Sequence, residues 1–197
     1  MTATGKIELM APAGNFESMQ AALDNGCDSI YFGVEQLNMR ARATVNFVLD
    51  DLPEIARRCN EKNVRTYLTL NTIIYDHDLS IVKTLLTKAK EAGITAVIAS
   101  DQAVIMTARS IGMEVHISTQ LNVTNIETVK FYAMFADTIV LSRELSLRQV
   151  KKITDEIEKE QVKGPRGNLV EIEIFGHGAL CMAVSGKCYL SLHSHNS

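Results

Sequence analysis

Proline and glycine are scarce, three and eleven among 197 residues, which excludes the Pro- and Gly-rich compositions of disordered or collagenous chains. Hydrophobic residues make up 46% and charged residues 22%, proportions that suit one folded domain. Charge of one sign is also missing. Lys plus Arg number 20 against 23 Asp plus Glu, a net charge of -3, so no overall cationic surface attracts nucleic acid or anionic lipid and any anion site must be local. Apolar stretches such as 96–99 and 138–141 fall far short of the roughly 20 residues a membrane-crossing helix needs. A membrane is therefore not an expected partner. Residues 1–6 lack the basic segment followed by an apolar one that marks a secretory signal, and the cytoplasm is the expected compartment. Four cysteines stand at 27, 59, 181 and 188. Structural disulfides are not expected in a reducing compartment, so only the closer pair, Cys181 and Cys188, invites a redox or metal reading.

What is present is alternation. Strand-like β-branched runs lie at 7–11, 29–33, 65–71, 96–100, 114–119, 137–142 and 169–175. Between them, 16–25, 52–62, 79–92, 102–111, 126–136 and 147–159 carry apolar residues three and four apart, as helices with one buried face do. Asn15, Ser80 or Asp78, Asn125 and Ser146 stand where N-caps belong, and Gly26, Gly93 and Gly112 where helices should stop. Runs such as Ala-Val-Ile-Ala at 96–99 are apolar at successive positions, the pattern of parallel strands covered on both faces. The fold class is α/β, and two architectures remain: an open doubly wound sheet or a (β/α)8 TIM-barrel-like fold. The first βα turn, Ala11-Pro-Ala-Gly-Asn15, lacks the G-x-G-x-x-G fingerprint of the open fold, which favours the barrel. Seven of eight βα units are visible and a closed barrel takes about 250 residues. The expectation is one TIM-barrel-like domain over 1–197, the N-terminal portion of a longer protein.

Ligands in either fold gather at the carboxyl ends of the strands. The residues found there are Asn15, Glu35 with Asn38, Arg40 and Arg42, Asn71, Asp101 and Gln102, Gln120 and Asn122, Arg143 and Glu144, and His177. Polar residues at such ends commonly cap the next helix. Gln120 and Asn122, however, precede the cap at Asn125, and Arg40 with Arg42 could grip a carboxylate or phosphate. Asn15, Glu35, Arg40, Arg42, Asn71, Gln120 and Arg143 are the candidate substrate-binding residues. Cys27 and Cys59 fall on the helical or amino-end side of the units and read as small core hydrophobes. Cys181 and Cys188 follow a strand end, where thiolates can ligate iron or zinc or act as nucleophiles; their spacing matches neither zinc pairs nor ferredoxin runs. Glu173 alternates with Glu171, so one sheet face carries two carboxylates that a barrel interior tolerates only when they are partnered. His116 reads as a strand residue with a backbone partner or as a proton-transfer group. His193 and His195 read as part of a polar terminus.

The segment from Glu173 to Ser191 resembles the signature of the collagenase-like peptidases, family thirty-two of the U (unknown mechanism) class. Glu173, Phe175, Gly178, Ala179, Leu180, Cys181, Gly186, Cys188, Leu190 and Ser191 all agree with it. Leu9-Met-Ala-Pro-Ala-Gly14, Ala21-Ala-Leu-Asp-Asn-Gly26, Ser29-Ile-Tyr-Phe-Gly33, Asn38-Met-Arg-Ala-Arg42 and His116-Ile-Ser-Thr-Gln120 are similar to the same family. The resemblance implies a barrel-like catalytic domain. It also implies either of two chemistries, since the family is named for proteolysis while some members hydroxylate RNA bases or ubiquinone precursors without molecular oxygen, on a 4Fe-4S cluster held by four cysteines. By carry-over, Cys181 and Cys188 would be the first two cluster ligands, the other two following later in the family sequence.

Three functions are therefore carried forward. The first is iron–sulfur-dependent hydroxylation of an RNA base or small aromatic precursor, with Arg40 and Arg42 holding an anionic substrate or hydroxyl donor. The second is peptide hydrolysis, with His177 deprotonating Cys181 four residues on, or with a zinc site that recruits His193 and His195; Glu173 is a further candidate catalytic residue. The third is a non-catalytic, metal-stabilised domain that binds RNA, pairs as a homodimer, or is completed by a further C-terminal segment.

Overall fold

The structure is a computed structural model and describes residues 7–34, 47–178 and 183–187. The chain divides into two compact units, Met1–Glu114 and Val115–Ser197. Among the described residues of the first unit, β1 (Met10–Pro12), α1 (Phe16–Asp24), β2 (Ser29–Phe32), α2 (Leu52–Glu61), β3 (Arg65–Leu70), α3 (Leu79–Ala92), β4 (Ala96–Ala99) and α4 (Gln102–Ser110) follow in order. β1 pairs with β2, β2 with β3 and β3 with β4, each in parallel. Consecutive strands are thus neighbours with a helix between them. That is the winding of a (β/α)8 barrel, without the reversal of strand order that defines an open doubly wound sheet.

The register sorts the side chains of this unit into two faces. Tyr31, Tyr67 and Ala96 are register partners, and Tyr67, Ala96 and Ile98 cluster with Met10 and Tyr31 on one side. Ile30, Phe32, Leu68, Leu70, Val97 and Ala99, of opposite parity, are buried as well. Helices α2 and α3 turn Leu52, Ile55, Ala56 and Cys59, and Val82, Leu85, Leu86 and Ala89, into the core. Burial on both faces explains why these strands lack polar alternation. β1 begins at Met10, later than the apolar run at 7–11 suggests, because pairing starts at the Met10–Ser29 register position and leaves Ile7 and Leu9 exposed.

The second unit contains most of β5 (Glu114–Ile117), then α5 (Ile126–Ala133), β6 (Thr138–Val140), α6 (Leu147–Glu160) and β7 (Glu171–Glu173). β5 pairs with β6 and β6 with β7, again in parallel. Register partners Ile117, Ile139 and Ile172 share a face with Val115, Leu141 and Val170 by parity, and this face is aliphatic. The opposite face holds His116, Ser118, Thr138, Val140, Ser142, Glu171 and Glu173. One sheet therefore has an apolar side, where α5 and α6 bury Val129, Ala133, Ile153 and Ile157, and a polar side.

The caps agree with the sequence at several ends. Asn15 and Ser146 form capping boxes, Asn125 accepts from the Thr128 amide, and Gly93 closes α3 in the left-handed region. Asp78, not Ser80, precedes α3, and its carboxylate accepts from the Tyr75 amide instead of capping the helix. No helix among the described residues is long and apolar enough to cross a membrane.

Candidate functional site

In the first unit the strand-end polar residues are largely occupied by local structure. Asn15 Oδ1 accepts from the Ser18 amide at 2.8 Å, and Ser18 Oγ accepts from the Gly14 and Asn15 amides at 3.0 and 3.2 Å. Asp101 Oδ1 accepts from the Ala103 amide at 2.7 Å, capping α4. Asn71 lies directly after β3 and is half-buried. Glu35, Asn38, Arg40 and Arg42 lie outside the described residues. Cys27 and Cys59 are buried, as their reading as core hydrophobes requires. Burial, and secondarily the neighbouring Cys27, pushes the Cys59 thiol up to about 11. Burial likewise raises that of Cys27. Both thiols stay protonated at neutral pH and lack the thiolate needed for ligation or attack.

The second unit gathers polar groups where β5, β6 and β7 end. His116 is buried, and its Nδ1 lies 4.0 Å from Oε2 of Glu173, whose side chain is 23% exposed. Burial raises the Glu173 carboxyl above its ordinary range, and the nearby imidazole pulls the other way. This supplies the partner that a carboxylate on an inward sheet face demands. The strand period alone marks Glu173 but not its partner, because His116 and Glu173 are 57 positions apart and on strands that both pair with β6.

After β5 the backbone makes a 3-10 turn, Thr119–Leu121, capped by Ser118 Oγ, which accepts from the Gln120 amide at 3.3 Å. Asn122 closes the turn in the left-handed region with φ 51°, a conformation that asparagine tolerates better than most residues. Its Oδ1 accepts from the Ser142 hydroxyl at 2.7 Å, tying the end of β5 to the end of β6.

Residues 183–187, between the two motif cysteines, fasten onto the same ends. The Ser185 amide donates to Glu144 Oε1, and the Arg143 amide donates to Ser185 Oγ at 3.4 Å. Partial burial would raise the Glu144 carboxyl, but hydrogen bonds from Ser185 outweigh it and the net shift is downward. Gly186 has φ 72°, and a Cβ there would run into the Gln120 carbonyl oxygen. Two independent reasons thus demand glycine at this motif position. Ser185 was not marked by the motif, which leaves 185 unspecified; the only signal was the Ser-Gly dipeptide, a turn marker.

His177 is exposed after β7. The Arg143 guanidinium carbon stands 5.9 Å from the centre of the Phe175 ring. Cys181 and Cys188 lie outside the described residues. Among the described residues no group of three or more His, Cys, Asp or Glu side chains is arranged to hold a metal ion. The turn at Ser185 and Gly186 has little freedom.

Parallel βα units with a polar cluster at the strand carboxyl ends define a TIM-barrel-like α/β protein. The chain belongs to peptidase family U32, whose model matches residues 14–197. A solved U32 peptidase superposes with a TM-score of 0.63 over 88% of this chain and 70% of its own, at 13% identity, a likeness of fold. Phosphonopyruvate hydrolase does so at 0.57 over 88% of this chain and 76% of its own, at 14% identity. Among curated relatives, a protein named collagenase from Porphyromonas gingivalis is 55% identical over 190 residues, 96% of this chain and 46% of the relative. The tRNA hydroxylation protein P1 of Bacillus subtilis is 31% identical over 193 residues, 96% of this chain and 43% of the relative. The 23S rRNA 5-hydroxycytidine C2501 synthase of Escherichia coli is 32% identical over 187 residues, 94% of this chain and 26% of the relative. The chain spans less than half the length of these curated relatives.

Proposed function

We propose that this chain is the barrel portion of a cytoplasmic, iron–sulfur-dependent enzyme that hydroxylates a base in RNA. The observation that carries this reading is the fixed turn at Ser185 and Gly186, held by Glu144, the Arg143 amide and the Gln120 carbonyl. A turn so constrained suits two flanking thiolates that share one inorganic centre, since metal ligation rewards preorganised donors. Cys181 and Cys188 would hold such a cluster together with ligands from outside this chain, and when bound it would supply one-electron redox chemistry. The chain's own groups then bind and orient. The half-buried Glu173 carboxyl, with His116 beside it, keeps its proton to a higher pH than a free carboxyl does, and Asn122, braced by Ser142, lines the strand ends. Names of relatives that act on tRNA and rRNA support the same reading.

Peptide hydrolysis is the second reading, favoured by the 55% identity to a protein named collagenase. It would use Cys181 as nucleophile with the exposed His177 as its base.

The deciding experiment is anaerobic purification of a protein extended to the relatives' length. Iron and sulfide analysis should give roughly four irons per chain, falling sharply in Cys181→Ser. Mass spectrometry of RNA from a deletion strain should show loss of one oxygen atom at a single base, restored by the wild-type gene. Iron-free protein that cleaves gelatin and loses that activity in Cys181→Ala would overturn the proposal in favour of hydrolysis.

A further inference from the structure

We infer that Phe175 and Arg143 form a stacking platform for one unpaired nucleotide of single-stranded RNA, at the carboxyl ends of β6 and β7. This rests on the RNA reading above and assigns that substrate a contact point. Phe175 is 50% exposed, Ile174 before it 45%, and Val184, next to the anchoring Ser185, 52%. Large apolar side chains left open at the end of a barrel strand, where ligands gather, ask for an occupant.

The chemistry of that occupant follows from the neighbours. The guanidinium lies 5.9 Å from the Phe175 ring centre and interacts electrostatically with the Glu144 carboxylate. Glu144, the adjacent carboxylate, is turned onto the Ser185 amide. The Arg143 backbone is held by Ser185 Oγ, so the cation is presented from a fixed point. A half-exposed aromatic ring with a planar guanidinium near it matches a nucleobase with its phosphate. A net charge of -3 gives no broad cationic track along a duplex, so the platform takes a splayed-out nucleotide and not a helix. A peptide strand would instead need a row of open main-chain donors and acceptors. β7 has only three residues, too short a row to hold a peptide strand in register.

The test is fluorescence anisotropy with the full-length protein and a labelled single-stranded RNA of about ten nucleotides. Phe175→Ala should weaken binding about tenfold, while Phe175→Tyr, which keeps the ring face, should stay within about twofold. Arg143→Gln should reduce the slope of log K against log salt by about 0.7. Matching thermal midpoints for the variants would show that folding is intact. Unchanged RNA affinity in Phe175→Ala overturns the platform. So does displacement of the RNA by a gelatin peptide whose own binding falls in Phe175→Ala. If the wild-type protein hydroxylates RNA and Phe175→Ala does so with unchanged KM, only the platform fails. If the wild type neither binds nor hydroxylates RNA, the RNA reading itself fails.

Discussion

Gly186 shows how much one hydrogen atom in place of a methyl group can decide. Its positive φ and the Gln120 carbonyl facing it leave no room for a Cβ. Gly186→Ala should cost about 1–3 kcal/mol from the backbone conformation alone, with more from the collision. Its thermal midpoint should fall, and on the proposed cluster reading the extended protein should lose iron together with it. Glu173 works in the opposite sense, since a buried carboxyl with a raised pKa opposes folding when ionised. The folded state keeps its proton to higher pH than the unfolded chain. Stability therefore declines as pH rises from the ordinary value of 4.5 through the raised folded value, and levels off above it. Denaturant titrations across that range should show the decline in the wild type and a flatter profile in Glu173→Gln. The cysteines divide as well. Cys27 and Cys59, buried and protonated, should resist iodoacetamide in the native protein, and peptide mapping should find label on them only after unfolding.

At the scale of elements, α6 is bounded by two contrasting ends. Ser146 and Gln149 form a full capping box at its start, and Ser146→Ala should lower stability by about 1 kcal/mol. The far end stops at Gln161 with φ 53°, a position where glycine is favoured. Gln161→Gly should raise stability by a few tenths to about 1 kcal/mol, offset in part by the lost hydrogen bond to the Glu158 carbonyl. Thermal melts of both variants check the pair. The strands carry a different lesson. In the second unit β5, β6 and β7 present aliphatic side chains on one face and His116, Ser118, Thr138, Ser142 and Glu173 on the other. Polar residues were visible in the sequence at these positions, but their shared face follows only from register.

For the whole molecule, the proposed RNA reading makes net charge a measurable constraint. On that reading this chain's net charge of -3 leaves few phosphates to neutralise, so its own contribution to the slope of log K against log salt should be no steeper than about -2, measurable by the same anisotropy titration. Much of the fold was legible because it rests on local patterns. Helix boundaries at α1 to α4 lie within two residues of the apolar period, as the capping signals at Asn15 and Gly93 would have it. The strands β6 and β7 are shorter than their apolar runs because only three pairs of residues are in register between them, and pairing is a property of two segments. Much of the candidate site was less legible for the same reason. Glu173 stood out by its parity, and Cys181 and Cys188 by their motif. His116 opposite Glu173, Asn122 on Ser142, and Ser185 on Glu144 join residues far apart along the chain. Period, caps and motif are written in neighbouring residues, so the sequence alone determined a parallel βα winding and the family. Which polar groups face one another depends on how separate strands align in space, and that was decided only by the tertiary structure.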